Sequence, residues 1–220
     1  MQRQAFLTFL CLILSLTAKA SLINPTGDIN GLDLRWGKTE ANHLQLYNEA
    51  QNMQVAENQI HVDYLLGTNL FEGDTLRGKS NLNNIFLEAG NYNSHLLHFD
   101  TIGKSKGNES NISITFEENI IGIILGKNYL NLSDNTFGGQ GTSYEKNRSR
   151  GLEHHDFLSF ESSRTILVDR LWVGKYWIDD ARIITYAVPE PGSMALFGLG
   201  IICLFSARSI ASKKANPAIK

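Results

Sequence analysis

Two uncharged apolar runs, one near each end of the 220-residue chain, restrict any water-soluble fold to the residues between them. The first run covers residues 5–17 and the second covers residues 192–207. Both cysteines, Cys11 and Cys203, lie inside these runs, so no disulfide can form within the central segment. We therefore expect residues 21–187 to fold as a single domain that is held together by its apolar core alone.

The first apolar run has the features of a secretory signal peptide. Arg3 places a positive charge before the run, and Ala18 and Ala20 give the small-x-small pattern that signal peptidase cleaves. The run is also shorter than the roughly 20 residues that a transmembrane helix needs. We therefore predict a signal peptide over residues 1–20, export through the Sec translocon, and cleavage by signal peptidase before Ser21.

The second apolar run predicts a transmembrane helix over residues 192–207. The basic residues Arg208, Lys213 and Lys214 follow it, whereas no acidic residue occurs after Glu190. Basic residues favour the cytoplasmic side of a membrane, so these three would act as a stop-transfer signal. We expect the helix to anchor the chain in the inner membrane, with the central domain in the periplasm. The alternative, a buried core helix, is disfavoured by the terminal position and by the one-sided charge.

A short proline-containing motif stands directly before this helix, and its residues are Val188, Pro189, Glu190 and Pro191. Two prolines around a single residue hold the backbone extended and accessible. The motif, the apolar helix and the basic tail together cover residues 188–214 and resemble the PEP-CTERM sorting signal. The tail departs from the family pattern, which usually ends in a tight Arg cluster, because its basic residues are spread out.

The resemblance implies a partner and a destination for the chain. Exosortase, a membrane-embedded enzyme similar to cysteine transpeptidases, would recognise the motif and process the tail. The family is exported by Gram-negative bacteria that make exopolysaccharide. This implies that the protein ends at the cell surface or in the extracellular matrix.

The central domain shows the alternation and the turn spacing of short β-strands. Residues 111–117 alternate apolar and polar side chains, which predicts a half-buried strand, and the apolar run 120–125 predicts a core strand next to it. Strands are also predicted at residues 32–36, 60–66, 93–100, 157–160, 165–173 and 177–186. Residues 39–57 are the one helical candidate, with a strand over residues 43–47 as an equal alternative. Many short strands separated by turn residues predict an all-β domain, an antiparallel jelly-roll-like β-sandwich.

The central domain is acidic, with 14 Lys and Arg against 21 Asp and Glu and a net charge of −7. The net charge of −2 for the whole chain conceals this, since both ends are basic. An acidic domain argues against nucleic acid as a partner. It favours divalent cations or neutral glycans over polyanions.

Three aromatic residues near the end of the domain form a candidate glycan platform. Trp172, Tyr176 and Trp177 cluster around Gly174. Exposed aromatic rings stack on the C–H faces of sugar rings, so these residues would suit a glycan if they lie at the surface. Packing in the core or within a hairpin is the alternative, because apolar strand residues flank both tryptophans.

Patterns for metal binding are weak. His95 and His98 would point to opposite faces of one strand, and two ligands do not make a zinc site. Asp179 and Asp180 are weak candidates for a structural calcium site, although no DxDxDG loop is present. Asp180 could instead pair with Arg182, two residues along on the same face. We predict no other cofactor.

No catalytic residue set is recognisable in the central domain. It lacks Cys, a GxSxG elbow, a P-loop and a GxGxxG motif. A glycan hydrolase would need two carboxylates about 5–9.5 Å apart in a cleft, and no pattern singles out such a pair. We therefore predict a non-enzymatic envelope or matrix protein with a structural or adhesive role associated with exopolysaccharide. A carbohydrate-binding module and an extracellular hydrolase are the alternatives.

Overall fold

The computed structural model describes residues 25–39, 41, 43–78, 84–102, 106–146 and 150–187. These residues belong to one compact unit, Ala20–Val188. The predicted signal peptide with its cleavage site at Ala20 and Ser21, and the predicted sorting region over residues 188–214, lie outside the described residues. No helix in the described part of the chain is both long and apolar enough to cross a membrane.

The described residues form fourteen strands and one helix. The strands of the first half are β1 (Gly27–Asp28), β2 (Asp33–Leu34), β3 (Gln45–Asn48), β4 (Met53–Val55), β5 (Tyr64–Leu65), β6 (Thr75–Arg77) and β7 (Gly90–Phe99). The strands of the second half are β8 (Gly107–Glu109), β9 (Ile112–Thr115), β10 (Ile120–Ile124), β11 (Ser143–Tyr144), β12 (Phe157–Ser162), β13 (Thr165–Val173) and β14 (Asp179–Tyr186). The helix, α1, is Lys127–Phe137.

The larger sheet contains seven strands in the order β1-β3-β7-β14-β10-β5, with β4 also paired to β7. Its pairings are antiparallel except the one between β1 and β3. The central strands β7 and β14 pair from Tyr92 with Tyr186 to Phe99 with Asp179. Nearly all side chains of these two strands are buried, because other parts of the domain cover both faces of the sheet.

The smaller sheet contains five strands in the order β6-β12-β13-β8, with β9 also paired to β13. All its pairings are antiparallel. Exposure alternates along these strands, so that Leu158, Phe160 and Val168 are buried, whereas Phe157 and Arg170 lie on the opposite, outer face. The smaller sheet therefore has one face in the core and one face towards solvent.

The main core of the domain lies between these two sheets. The larger sheet contributes Leu97, Phe99 and Ile183, and the smaller sheet contributes Phe160 and Ile166, among others. Burying one such side chain stabilises the fold by about 1.5–3 kcal/mol relative to leaving it exposed. The described domain is thus a β-sandwich that its apolar core holds together.

Helix α1 covers the other face of the larger sheet. Leu130 of the helix packs in one cluster with Ile184 of β14. Asp63 holds the segment directly before the helix, because its Oδ2 accepts the backbone N–H groups of Leu125 and Gly126 at 2.7 and 2.8 Å. The short parallel pair of β2 and β11 also packs on this face.

The all-β prediction is confirmed. Of the two alternatives for residues 39–57, the strand is correct and the helix is wrong, since this segment contains β3 and β4. One prediction about strand pairing is also wrong. The strands predicted at 111–117 and 120–125 form as β9 and β10, but they are not neighbours. β9 pairs with β13 in the smaller sheet, whereas β10 pairs with β14 and β5 in the larger one. The chain crosses between the sheets at this point, because all five residues of β10 are buried and need a layer on each side.

Candidate functional site

The face of β14 that points towards α1 carries a buried charged residue, Asp180. Its Oδ1 lies 2.7 Å from Nδ1 of His98, and its Oδ2 accepts a hydrogen bond of 2.6 Å from Nε of Arg150. Burial alone would raise the pKa of Asp180, but His98 and Arg150 hold it below its ordinary value. Asp180 therefore stays ionised within the fold, and it does not pair with Arg182 as the sequence suggested.

Arg182, two residues further along the same face, is also fully buried. Its Nε and Nη2 donate to the two carboxylate oxygens of Glu49 at 2.6 and 2.7 Å, which is a bidentate ion pair. Its Nη2 also donates to Oδ1 of Asp134 at 3.0 Å, and its Nη1 donates to the carbonyl oxygen of Leu130 at 3.2 Å. Burial opposes the charge of Arg182, yet the Glu49 carboxylate raises its pKa above the ordinary value.

Asp134 of helix α1 joins the two arginines into one network. Its Oδ2 accepts a hydrogen bond of 2.7 Å from Nη1 of Arg150, and its Oδ1 accepts from Arg182. We call Glu49, His98, Asp134, Arg150, Asp180 and Arg182 the buried ionic network. Each member bonds another member, so the network fixes α1 on the larger sheet.

A polar cleft of about 430 Å³ lies over one end of the buried ionic network. Arg35, Asp134, Tyr144 and Lys146 are among its lining residues. The Tyr144 hydroxyl donates to Oε1 of Glu49 at 2.7 Å, and burial raises the pKa of this phenol above its ordinary value. The acidic and phenolic groups nearest the network are therefore held in hydrogen bonds within the protein.

The predicted glycan platform is at the surface. The exposed fractions of Trp172, Tyr176 and Trp177 are 37%, 38% and 40%. A Cβ at Gly174 would lie 3.5 Å from the Trp172 ring and 3.7 Å from Cδ1 of Trp177, so both indoles flank this glycine. The structure therefore brings the two tryptophans together in an accessible position.

Tyr176, the third residue of the platform, packs differently. Its ring meets the Trp36 ring edge to face, with 5.1 Å between the centroids. Its φ is +76°, in the left-handed region that costs energy for a residue other than glycine. Trp36 was not predicted to be part of this surface, since it is far away in sequence.

A second surface feature lies on the outer face of the smaller sheet, where Arg77, Phe157 and Arg170 are cross-strand neighbours. The Cζ atoms of Arg77 and Arg170 lie 4.7 and 4.8 Å from the centroid of the Phe157 ring. His155, Arg170 and Trp172 line a cavity of about 320 Å³ beside this row. This arrangement could not be predicted from the sequence, because three separate strands supply its residues.

The two calcium candidates point to opposite faces of β14. Asp180 belongs to the buried ionic network, whereas Asp179 is 1% exposed and its two carboxylate oxygens have no hydrogen-bond partner. Burial, and then the nearby charges of Asp156 and Glu153, raise the pKa of Asp179 well above its ordinary value. In the described part of the chain, no group of three or more His, Cys, Asp or Glu side chains could hold a metal ion. The calcium site therefore stays a prediction.

Asp179→Asn is expected to stabilise the protein at neutral pH. The unfolded chain releases the Asp179 proton near pH 3.9, whereas the folded protein keeps it to a much higher pH. The wild type therefore loses stability as the pH rises through that window, and the Asn variant does not. Thermal unfolding from pH 3 to pH 8 tests this, since each kcal/mol shifts the midpoint by about 2–4 °C in a domain of this size.

The adjacent residue supplies the control with the opposite sign. The folded-state pKa of Asp180 is lowered, so its ion pairs stabilise the protein above about pH 3.9 and lose that effect as the pH falls. Asp180→Asn is therefore expected to lower the unfolding midpoint at neutral pH. If both variants lowered the midpoint at pH 7, the account of Asp179 would be wrong.

Comparison with known proteins identifies one segment. Residues 187–209 match the family model described as the PEP-CTERM protein-sorting motif. The match includes the four motif residues Val188, Pro189, Glu190 and Pro191, and it supports an exported protein that exosortase sorts. No curated protein and no solved structure matches the chain.

Proposed function

We propose that this chain, which carries the PEP-CTERM sorting motif at residues 187–209, has a structural or adhesive role in an exopolysaccharide-containing matrix. The sorting motif is the observation that carries the proposal, because it directs the chain to exosortase and hence out of the cell. The domain is then a Gram-negative surface or matrix protein. Oxidising conditions outside the cytoplasm cannot form a disulfide within it, since neither cysteine lies in it.

The proposed route has three steps. The signal peptide over residues 1–20 directs the chain through the Sec translocon, and signal peptidase removes it before Ser21. The helix over residues 192–207, with Arg208, Lys213 and Lys214 on its cytoplasmic side, holds the domain in the periplasm. Exosortase then processes the tail and releases the domain to the surface.

The position of the last strand fits this route. β14 ends at Tyr186, and the matched motif begins at residue 187, so no spacer separates the domain from the motif. Before processing, the domain would therefore stand close to the membrane surface, where the membrane-embedded exosortase acts.

We propose that the domain is not an enzyme and needs no cofactor. The acidic groups at the polar cleft and the buried ionic network are held in ion pairs, because Asp134 of the cleft binds Arg150 and Arg182. Glu49 beneath it is held by Arg182 and Tyr144. Such a network suits a rigid scaffold better than proton transfer.

A carbohydrate-binding module is the second candidate, and the exposure of the aromatic platform favours it. Trp172 and Trp177 are about two-fifths exposed, and Trp172 helps to line a cavity of about 320 Å³. Two adjacent indoles offer apolar surface for the C–H faces of successive sugar rings. On this proposal the platform is the adhesive surface of the domain.

Binding to the native matrix tests the adhesive role. The mature protein from its own host is mixed with immobilised exopolysaccharide from the same cells, and the retained fraction is measured. We expect retention of the wild type and loss of most retention in the Trp172→Ala/Trp177→Ala variant. Phe71→Ala is the matched control, since Phe71 is an exposed aromatic residue outside the platform. No retention of the wild type would overturn the adhesive role, and equal retention of all variants would overturn the platform.

A further inference from the structure

We propose that the outer face of the smaller sheet binds an acidic polysaccharide, one whose sugar rings carry carboxylates. This rests on the proposed matrix function and specifies its ligand. The residues that carry it are Arg77, Lys106, Phe157, Arg170 and Trp172, together called the basic face. The net charge of the domain favours neutral glycans, but the three cations grouped at this face point to an anionic one.

The cations of the basic face differ from Arg35, Arg150 and Arg182, which all form ion pairs. Arg150 and Arg182 form ion pairs in the interior, and Arg35 pairs with Asp33 at 2.5 Å. Within the described residues, by contrast, Arg77, Lys106 and Arg170 form no ion pair. Three unpaired cations on one face of a domain with 21 acidic residues make a local site for an anion.

Aromatic rings hold these cations in place. Arg77 and Arg170 lie over the single Phe157 ring, with Cζ 4.7 and 4.8 Å from its centroid, and Lys106 Nζ lies 5.7 Å from the centroid of Trp172. Nε of Arg170 donates to the carbonyl oxygen of His155 at 2.9 Å, which leaves the two terminal nitrogens of its guanidinium group for the two oxygens of a carboxylate. The stacking thus orders the side chains before a ligand arrives, which lowers the entropic cost of binding.

The spacing along β13 suits a ligand with both rings and charges. Arg170 and Trp172 are two residues apart on the same face, so they are about 7 Å apart along the strand. Both residues line the cavity of about 320 Å³, together with His155. A sugar ring on the Trp172 indole would therefore place its carboxylate within reach of Arg170. A uronic-acid chain repeats this combination of apolar ring face and carboxylate.

The small area of the basic face favours a polysaccharide over nucleic acid as its ligand. A duplex needs a wide basic surface that contacts many phosphates. Here the cations of the basic face form one short row, while the domain as a whole carries a net charge of −7. The acidic remainder would repel a long polyanion of high charge density.

The test measures the affinity of the mature protein for polygalacturonate and for the same polymer after its carboxylates are reduced to alcohols. Reduction removes the charge-assisted hydrogen bonds to the carboxylates, so we expect the reduced polymer to bind at least about tenfold more weakly. Binding to polygalacturonate should also weaken at high NaCl concentration. Duplex DNA is the third probe, and it should bind more weakly than polygalacturonate.

Variants locate the site. Arg170→Ala and Trp172→Ala are each expected to lower the affinity for polygalacturonate about tenfold or more, and Arg170→Lys less, because Lys keeps the charge and loses the planar fork. Arg77→Ala is a second variant, and it should also lower this affinity. The Arg77 side chain makes no hydrogen bond to another described residue, so its loss should leave the fold intact. Arg164→Ala is the matched control, since Arg164 is an exposed arginine in the turn before β13. Thermal unfolding checks that each variant is folded.

Equal affinity for the acidic and the reduced polymer, lost in Trp172→Ala, would overturn this inference and leave a neutral-glycan platform. Equal effects of Arg164→Ala and Arg170→Ala on the affinity would also overturn it, because binding would then depend on the overall charge of the domain and not on the position of the arginine. Duplex DNA that binds as tightly as polygalacturonate would overturn the choice of polysaccharide. Retention on native exopolysaccharide without any affinity for polygalacturonate would overturn this inference alone, and the adhesive role would stand.

Discussion

Replacing Arg182 by Met is expected to lower the free energy of unfolding by about 3–5 kcal/mol. The Glu49 side chain is fully buried, and Arg182 donates to both of its carboxylate oxygens at 2.6 and 2.7 Å. Without Arg182, the Glu49 charge would remain in the interior without its main partner. Met keeps most of the side-chain volume, so the loss of stability would come mainly from the uncompensated charge and not from a cavity. Urea unfolding of the mature protein measures it.

Two controls separate this effect from a general loss of charge. Arg35→Met removes an exposed arginine from a surface ion pair with Asp33, and the urea midpoint is expected to stay where it is. Glu49→Leu/Arg182→Met removes both partners, and it should recover part of the stability that Arg182→Met loses, since no carboxylate is left stranded. A loss below about 1 kcal/mol for Arg182→Met, or a double variant less stable than the sum of the two single changes, would contradict the network account.

Replacing Pro189, Glu190 and Pro191 by Ala is expected to keep nearly all of the protein in the membrane fraction. The matched PEP-CTERM motif spans these residues, so exosortase would no longer recognise the chain. The uncharged run over residues 192–207 would then remain as an anchor. Immunoblots of the membrane, periplasmic and matrix fractions of the native host measure the distribution.

Glu57→Ala is the matched control for this variant. Glu57 is an exposed acidic residue of the domain, far from the motif in sequence. Its variant should distribute like the wild type, mainly in the surface or matrix fraction. A triple-Ala variant that also distributes like the wild type would show that the motif does not direct sorting.

The sorting signal and most strands could be predicted from the sequence because both are local patterns. The signal is a linear motif, and strands such as β9 and β13 are short segments with alternating side chains. Pairing is not local in this sense. The sequence offered no means of seeing that the chain leaves one sheet after β9 and enters the other at β10.

Helix α1 was missed because its own residues disfavour a helix. Its sequence, KNYLNLSDNTF, is rich in Asn, Ser, Asp and Thr, which favour turns and helix caps over helix interiors. Tertiary contacts override this preference, since Leu130 and Phe137 are buried against the larger sheet. The Asp134 side chain adds two ion pairs to the same interface.

Neither the buried ionic network nor the basic face has a sequence signature. Glu49 and Arg182 are 133 positions apart, and only the pairing of β3, β7 and β14 brings them together. Arg77 and Arg170 likewise meet over Phe157 because β12 lies between β6 and β13. The acidic net charge of the domain concealed this basic row, because a net charge does not show where the individual charges lie on the surface.

The intact mass of the mature protein from its native host tests the central claim most directly. Export and exosortase sorting predict a species that begins at Ser21 and lacks the apolar segment over residues 192–207, including Cys203. If every mature species retained Cys203, the chain would not be processed at its PEP-CTERM motif, and the proposed release to the surface would be contradicted.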